Sequence, residues 1–395
     1  MLLQTGQLLS NAGTSSTSIA FPLLVLAVTH SPARAGIVAF ARSLPSVLFT
    51  LPAGLAADRW SRRRLMILAD AVRVLAIGSL AATILLDQVA FWQVVVIAFV
   101  EGIGVAVFYG AQPGALRAVV PANQLPAAAA AETGRQAIVR LAGPPLGGAL
   151  FGVARALPFL VDALSYAFST VSLLAMRTPF QEEREPHLSS LRSRLAEGFR
   201  FVWSRPFLRT CALLFGLANF IGPGVLLAVV VIGKQQGLSG GAVGGLIAAF
   251  GACLLLGSLL SPFVRRLLPV RAVLLLELWT WFGCALFLVW PNVYVLTAGI
   301  LPTALAIPST DSVVHGYRIA MTPDRLLGRA ESVRSLISLL IAPVGPLTAG
   351  VLLSSVSARA TIAVFAVAGV VLAVWGTLSP SIRMAPSLDE LHSAT

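Results

Sequence analysis

The stretch from Pro121 to Gly148 is repeated, without a gap, from Pro323 to Gly350, at a constant offset of 202 residues. Pro121 falls on Pro323, Leu125 on Leu327, Gly143-Pro144 on Gly345-Pro346 and Gly148 on Gly350. Each copy runs from a short basic stretch into an apolar run that carries Gly-Pro. In a chain of 395 residues, a period near half the length describes two similar halves in tandem. Each half is also too apolar for water. Apolar residues are 57% of the chain and charged residues 11%, against a soluble norm of about 25% charged. Lipid is then the solvent, and the backbone must satisfy its own hydrogen bonds.

Apolar runs of about 20 residues match helices crossing a core of about 30 Å, rather than the short alternating strands of a barrel. Twelve spans are expected, near 3–29, 35–56, 66–87, 91–115, 130–154, 157–176, 207–232, 241–263, 271–290, 293–318, 329–354 and 359–379. The even number puts both termini on one side. The first basic residue is Arg34, so no basic n-region precedes the opening apolar segment, which is expected to remain as the first span.

A net charge of +12 in one soluble patch would point to nucleic acid, but the arginines recur in small clusters between apolar runs. The loops opposite the termini hold only Arg34, Arg155, Lys234 and Arg359, and Arg42 lies inside span 2. The other basic residues, Arg73, Arg135, Arg140 and Arg318 among them, are assigned to the terminal side. The positive-inside rule makes that side cytoplasmic. Cys211, Cys253 and Cys284 each stand alone in an apolar run, which indicates neither disulfides nor a metal site.

The halves are expected at 1–176 and 207–380, with a linker at 177–206 and a tail at 381–395. In the linker, Leu188, Leu191, Leu195, Phe199 and Val202 recur at helical spacing opposite Arg192, Arg194, Glu197 and Arg200. That pattern predicts an amphipathic helix lying on the inner membrane surface. Trp92 and Trp290 fall at outer span ends, as an aromatic belt requires.

The loop after span 2 reads Gly54-Leu55-Ala56-Ala57-Asp58-Arg59-Trp60-Ser61-Arg62-Arg63-Arg64. It resembles the Gly-x-x-x-Asp-Arg-x-x-Arg-Arg signature of the major facilitator superfamily. The resemblance implies an all-α integral membrane fold of 12 transmembrane helices in two pseudo-symmetric six-helix bundles around a central cavity. It also implies that Gly54, Asp58, Arg59, Arg62 and Arg63 form a cytoplasmic latch. Gly54 would let helices approach closely, and Asp58 would cap a helix or pair with an arginine. The matching loop of the second half, Pro262-Phe263-Val264-Arg265-Arg266, has no aspartate.

Span 5 carries Gly143-Pro144-Pro145-Leu146-Gly147-Gly148, similar to the end of an element that marks antiporters of this superfamily. Val139 and Ala130 stand where two of its upstream glycines would fall. Proline removes a backbone hydrogen bond and glycine permits close packing, so Gly143, Pro144, Gly147 and Gly148 read as a helix bend; ordinary small-residue packing is the alternative.

Ionisable groups within spans are functional candidates. Glu101 lies roughly 13 Å from the outer end of span 4 at 1.5 Å per residue, and Arg42 lies at a comparable depth. Glu101 is expected to carry a coupling proton with Arg42 as partner; a fixed structural ion pair is the alternative. Asp162 in span 6 is a further titratable candidate or an interfacial carboxylate. Asp311 and His315, at i and i+4 in span 10, read as a second titratable pair or as a solvated histidine near the cytoplasmic end. In span 1, Gln4, Gln7, Asn11, Thr14 and Ser18 follow one helical stripe, which must face protein or a water-filled cavity. Asn219, near Pro223 in span 7, is the matching polar candidate of the second half.

The whole chain is similar to the subgroup of the superfamily that includes macrolide efflux proteins and enterobactin exporters. The similarity rests on the latch loop, Glu101-Gly102, Asp162-Ala163-Leu164-Ser165 and Pro323-Asp324-Arg325-Leu326-Leu327-Gly328-Arg329. It implies a proton-coupled exporter of amphipathic drugs, macrolides or siderophore-like compounds, working by alternating access in the cell membrane. Its partners would be a small amphipathic substrate, protons and the lipid bilayer, with no nucleic acid, and it would act as a monomer. A nutrient importer and a lysophospholipid transporter of the same superfamily are the competing readings. The sequence carries no nucleotide-binding loop, metal cluster or nucleophile constellation, so neither an enzyme nor a cofactor is expected and ion gradients are the expected energy source.

Overall fold

The structure, a computed structural model, describes residues 2–119, 125–176 and 191–384. Six long helices come first: α1 (Leu2–Thr29), α2 (Pro32–Arg59), α3 (Arg62–Leu85), α4 (Phe91–Val119), α5 (Leu125–Val153) and α6 (Leu157–Ala175). A short α7 (Leu191–Ser204) precedes six further helical segments. These are α8 (Pro206–Gln235), α9 (Gly240–Leu267), α10 (Val270–Thr280) continued by a 3-10 segment (Trp281–Ala285) and α11 (Leu286–Val289), α12 (Val293–Met321), α13 (Asp324–Ile341) with α14 (Val344–Ser355), and α15 (Ala358–Leu378). A single turn, α16 (Pro380–Arg383), follows. Among the described residues, ten of these helical segments are long and apolar enough to cross a membrane; α2 and α5 are not among the ten. The architecture is all-α and integral to the membrane.

Local chemistry explains where the passes begin. Ser31, Ser61 and Ser357 accept from the backbone N–H three residues on, and Asn292 from the N–H two residues on; each satisfies an N–H that the first helical turn leaves open. The turns after α1 and α8 both use a left-handed residue, His30 at φ 51° and Gly237 at φ 81°. A left-handed residue thus follows the first helix of each half.

The chain divides into two compact units, Met1–Glu185 with Val230–Ala248, and Pro186–Val229 with Ala249–Thr395. In the first, Phe21 and Phe159 meet edge to face at 5.3 Å. Met66, Phe108 and Leu173 close one apolar cluster, and Ile19, Leu23, Val230 and Val243 another. In the second, Phe207 lies 4.6 Å from Tyr317, and Phe220 lies 5.2 Å from Phe365. Large apolar side chains such as Leu75, Leu164, Leu259 and Val367 point outward, as helices solvated by lipid require.

The internal repeat is also a repeat of packing. On α5, a methyl group added at Gly143 would overlap Ser15 of α1, and one at Gly147 the Ser16 carbonyl oxygen. On α14, one added at Gly345 would overlap the Phe220 carbonyl oxygen of α8. In each copy the Gly-Pro helix lies backbone to backbone on the first helix of its own half. Gly148 makes the same approach to Gly240, and Gly244 approaches Pro144. α5 runs unbroken through Pro144, whereas the second copy is interrupted at Ala342-Pro343, between α13 and α14.

Three expectations change. Arg73 is not in a loop but is 3% exposed within α3, and Arg318 is buried within α12; both sit inside apolar runs that pair them with carboxylates. Gly54 does not mediate a close helix approach, because a Cβ there would meet no atom within 4 Å. The described apolar residues of α7 do not share one exposed side. Val202 is buried while Phe199 and Trp203, stacked at 4.7 Å, are exposed, because α7 packs along α13, with Gly198 against Arg329 and Arg329 paired with Glu197. The Asp58, Gln4, Arg140, Leu191 and Leu195 side chains, the linker to residue 190 and the tail from residue 385 lie outside the described residues.

Candidate functional site

A buried charge network in the first unit gathers five helices. Gly102 sets it up: a methyl group there would overlap the Arg42 carbonyl oxygen, so α2 and α4 touch at the level of Glu101. Glu101, 0% exposed, is then held at both oxygens by Arg42, whose Nε donates to Oε2 at 2.8 Å and whose terminal nitrogen donates to Oε1 at 3.3 Å. The same nitrogen donates to the Thr14 carbonyl of α1 at 3.3 Å. Arg73 of α3 approaches Glu101 Oε1 to 3.9 Å and pairs with Asp70 at 3.1 Å.

Tyr166 of α6 ties the network together. Its hydroxyl accepts from Arg73 at 2.6 Å, stands 2.7 Å from the Thr14 hydroxyl and donates to Glu101 Oε1 at 3.4 Å. The Arg73 guanidinium lies over its ring, 3.7 Å from the centroid. Asp162, also 0% exposed, accepts from the Thr17 hydroxyl at 2.8 Å where α6 crosses Gly13 of α1. Charges in a membrane interior are costly unless they are paired or hydrogen-bonded.

Gln7 and Asn11 of the polar stripe on α1 are bonded across to neighbouring helices. Gln7 accepts from Gln112 at 3.2 Å and from Arg135 at 3.1 Å, and Asn11 accepts from Tyr109 at 3.1 Å. Ser18 is exposed and donates to its own helix at the Ser15 carbonyl. In the signature loop, Arg59 is exposed and Arg62 buried. Arg63 donates to the Leu173 and Leu174 carbonyls at 2.9 and 2.8 Å, closing the C-terminal end of α6. The cap of α3 is Ser61.

The second unit holds a cavity of about 950 Å³. It brings together Asn219, Asp311 and His315, three of the sequence candidates, with Glu277 and Trp281, which sequence reasoning passed over. At its α12–α13 wall Arg318 pairs with Glu331 at 2.7 Å, Arg334 pairs with the same carboxylate at 2.6 Å, and His315 bonds Arg318. Among the described residues no cluster of His, Cys, Asp and Glu could hold a metal ion.

Arg73, Asp70 and Tyr166 were also missed. A signal for the first two was present: Asp70 and Arg73 stand at i and i+3 inside an apolar run, the spacing of an intrahelical pair. A tyrosine in an apolar helix carries no such mark.

The chain is 27% identical over 408 residues to "Multidrug efflux pump Tap" of Mycolicibacterium fortuitum, covering 97% of this chain and 96% of that protein. It is 28% identical over 424 residues to the protein of the same name in Mycobacterium tuberculosis, covering 98% and 96%. The structure superposes on a bacterial homologue of the human lysosomal transporter Spinster with a TM-score of 0.76 at 16% identity, covering 97% and 96%; the fold is thus the major facilitator fold. Residues 2–387 match the transmembrane secretion effector family, and the chain belongs to that family of membrane transporters.

Proposed function

We propose that this chain exports amphipathic drugs, macrolides or siderophore-like compounds in exchange for protons, as a monomer in the cytoplasmic membrane with both termini inside. The names of the relatives, which match over nearly the full length of both chains, support export of drugs. The distribution of arginines supports the orientation. The observation that carries proton coupling is Glu101, a fully buried carboxylate gripped by Arg42 and approached by Arg73.

The geometry supplies a way for a proton to do mechanical work. A proton taken up by Glu101 from outside neutralises the anion that holds Arg42. Arg73 keeps Asp70, Tyr166 and Thr14 as partners, whereas Arg42 keeps its bond to the Thr14 carbonyl and its place over the Phe21 ring. Protonation thereby loosens the tie of α2 to α4, and release of the proton inward restores it. Differential stability of two states on protonation is what an alternating-access cycle requires. In this reading Asp162 is a secondary carboxylate, Gly143, Pro144, Gly147 and Gly148 set the packing of α5, and the Gly54–Arg63 loop is the cytoplasmic latch. Substrate contacts come from Gln7, Asn11, Thr14, Ser18, Asn219, Asp311 and His315.

The test is proton release from acidified inside-out vesicles on addition of a panel of drugs, macrolides and siderophores. A substrate-evoked pH change in wild type, lost in Glu101→Gln, is the expected result. A response that survives in Glu101→Gln overturns the role of Glu101, and silence of wild type to every compound overturns proton-coupled export.

A further inference from the structure

The cavity of the second unit contains a carboxyl that no cation neutralises among the described residues. Glu277 is 7% exposed and stands on α10 just before the helix gives way to the 3-10 segment at Trp281. The basic side chains of the cavity wall have other partners. Arg318 and Arg334 both grip Glu331, and His315 bonds Arg318. Among the described residues no ion pair reaches Glu277. What faces it is the Thr310 hydroxyl and the like charge of Asp311; that hydroxyl donates to the Val273 carbonyl. Trp281, 3% exposed, lines the same cavity, and its indole Nε1 has no hydrogen-bond partner.

A buried carboxylate without a counter-charge is costly in a membrane interior, and an organic cation entering the cavity would supply that charge. Aromatic walls favour the same guest, because the ring face attracts cations; Phe215, Phe250 and Trp281 are all in the lining. The volume, about 950 Å³, falls within the range of about 300–1,000 Å³ typical of sites for drug-sized ligands. We propose that this cavity is a recognition site for an amphipathic organic cation, a lipophilic amine or onium compound. Glu277 is its counter-charge and Trp281 part of its aromatic wall. The proposal rests on the export reading for the direction in which the cation is carried, but not for its binding.

The test is equilibrium binding to the purified full chain in detergent, using two probes of one shape and opposite charge, tetraphenylphosphonium and tetraphenylborate. Wild type is expected to bind the phosphonium at least tenfold more tightly than the borate. Glu277→Gln, checked for a single size-exclusion peak, is expected to lose at least tenfold in phosphonium affinity, while Glu277→Asp retains most of it. Equal affinity of wild type for the two probes overturns the proposal without any variant. So does unchanged phosphonium affinity in Glu277→Gln. Charge-selective binding without proton exchange in vesicles would sink the export reading and leave this site standing; proton exchange with charge-blind binding would do the reverse.

Discussion

Arg42 binds both carboxylate oxygens of Glu101, 59 positions further along the sequence, at 2.8 and 3.3 Å, and reaches the Thr14 carbonyl with the same guanidinium. One side chain thus joins α1, α2 and α4 inside the first unit. Breaking a buried pair by removing one partner costs more than removing both, because the remaining charge is stranded.

That asymmetry gives the first prediction. Glu101→Gln leaves Arg42 and Arg73 facing a neutral amide and is expected to lower stability by about 3 kcal/mol. The double variant Glu101→Gln with Arg42→Gln is expected to recover part of that loss. Substrate-driven proton exchange should be absent from both. Thermal unfolding in detergent and vesicle pH recordings read the two effects separately.

Tyr166→Phe removes only a hydroxyl, but one engaged with Arg73, Thr14 and Glu101. The loss leaves buried polar partners short of a bond, at a cost of about 1–3 kcal/mol. The ring under Arg73 is kept, so the variant is expected to fold with a lower melting temperature. A Phe variant as stable as wild type would show that the hydroxyl contributes nothing to holding the network.

Two glycine variants should part company. An added methyl group at Gly147 overlaps the Ser16 carbonyl oxygen, whereas one at Gly54 meets no atom within 4 Å. Gly147→Ala is expected to cost about 1–3 kcal/mol, as overpacking does, and to reduce transport. Gly54→Ala is expected to leave stability unchanged or slightly higher, since alanine suits a helix interior better. Equal melting temperatures for the pair would contradict the close approach of α5 to α1.

Arg63→Gln is expected to cost about 1 kcal/mol through loss of its bonds to the Leu173 and Leu174 carbonyls at the end of α6. The readout is melting temperature together with amide exchange at the end of α6, which should quicken while the core of the first unit stays protected.

Much of the fold could be read from the residues alone, because it depends on local quantities. Apolar run length against bilayer thickness sets the passes, and the offset between the two Gly-Pro elements announces the tandem halves. The isolation of Glu101 and Arg42 within such runs singles them out as functional candidates. The same rule applied to span 9 would have found Glu277, a lone carboxylate among leucines.

What no local quantity carries is which buried groups meet. Arg73 looked like one more arginine of a basic loop, and packing of α3 against α4 and α6 turned it into the partner of Asp70, Tyr166 and Glu101. The polar stripe of α1 announced itself by periodicity, yet only its neighbours decided that Gln7, Asn11 and Thr14 are bonded while Ser18 turns back on its own helix. Periodicity places a side chain on a face of its own helix. Its partners depend on the rotation and depth of the adjoining helices, which are fixed by long-range contacts such as Gly102 on Arg42 and Gly147 on Ser16.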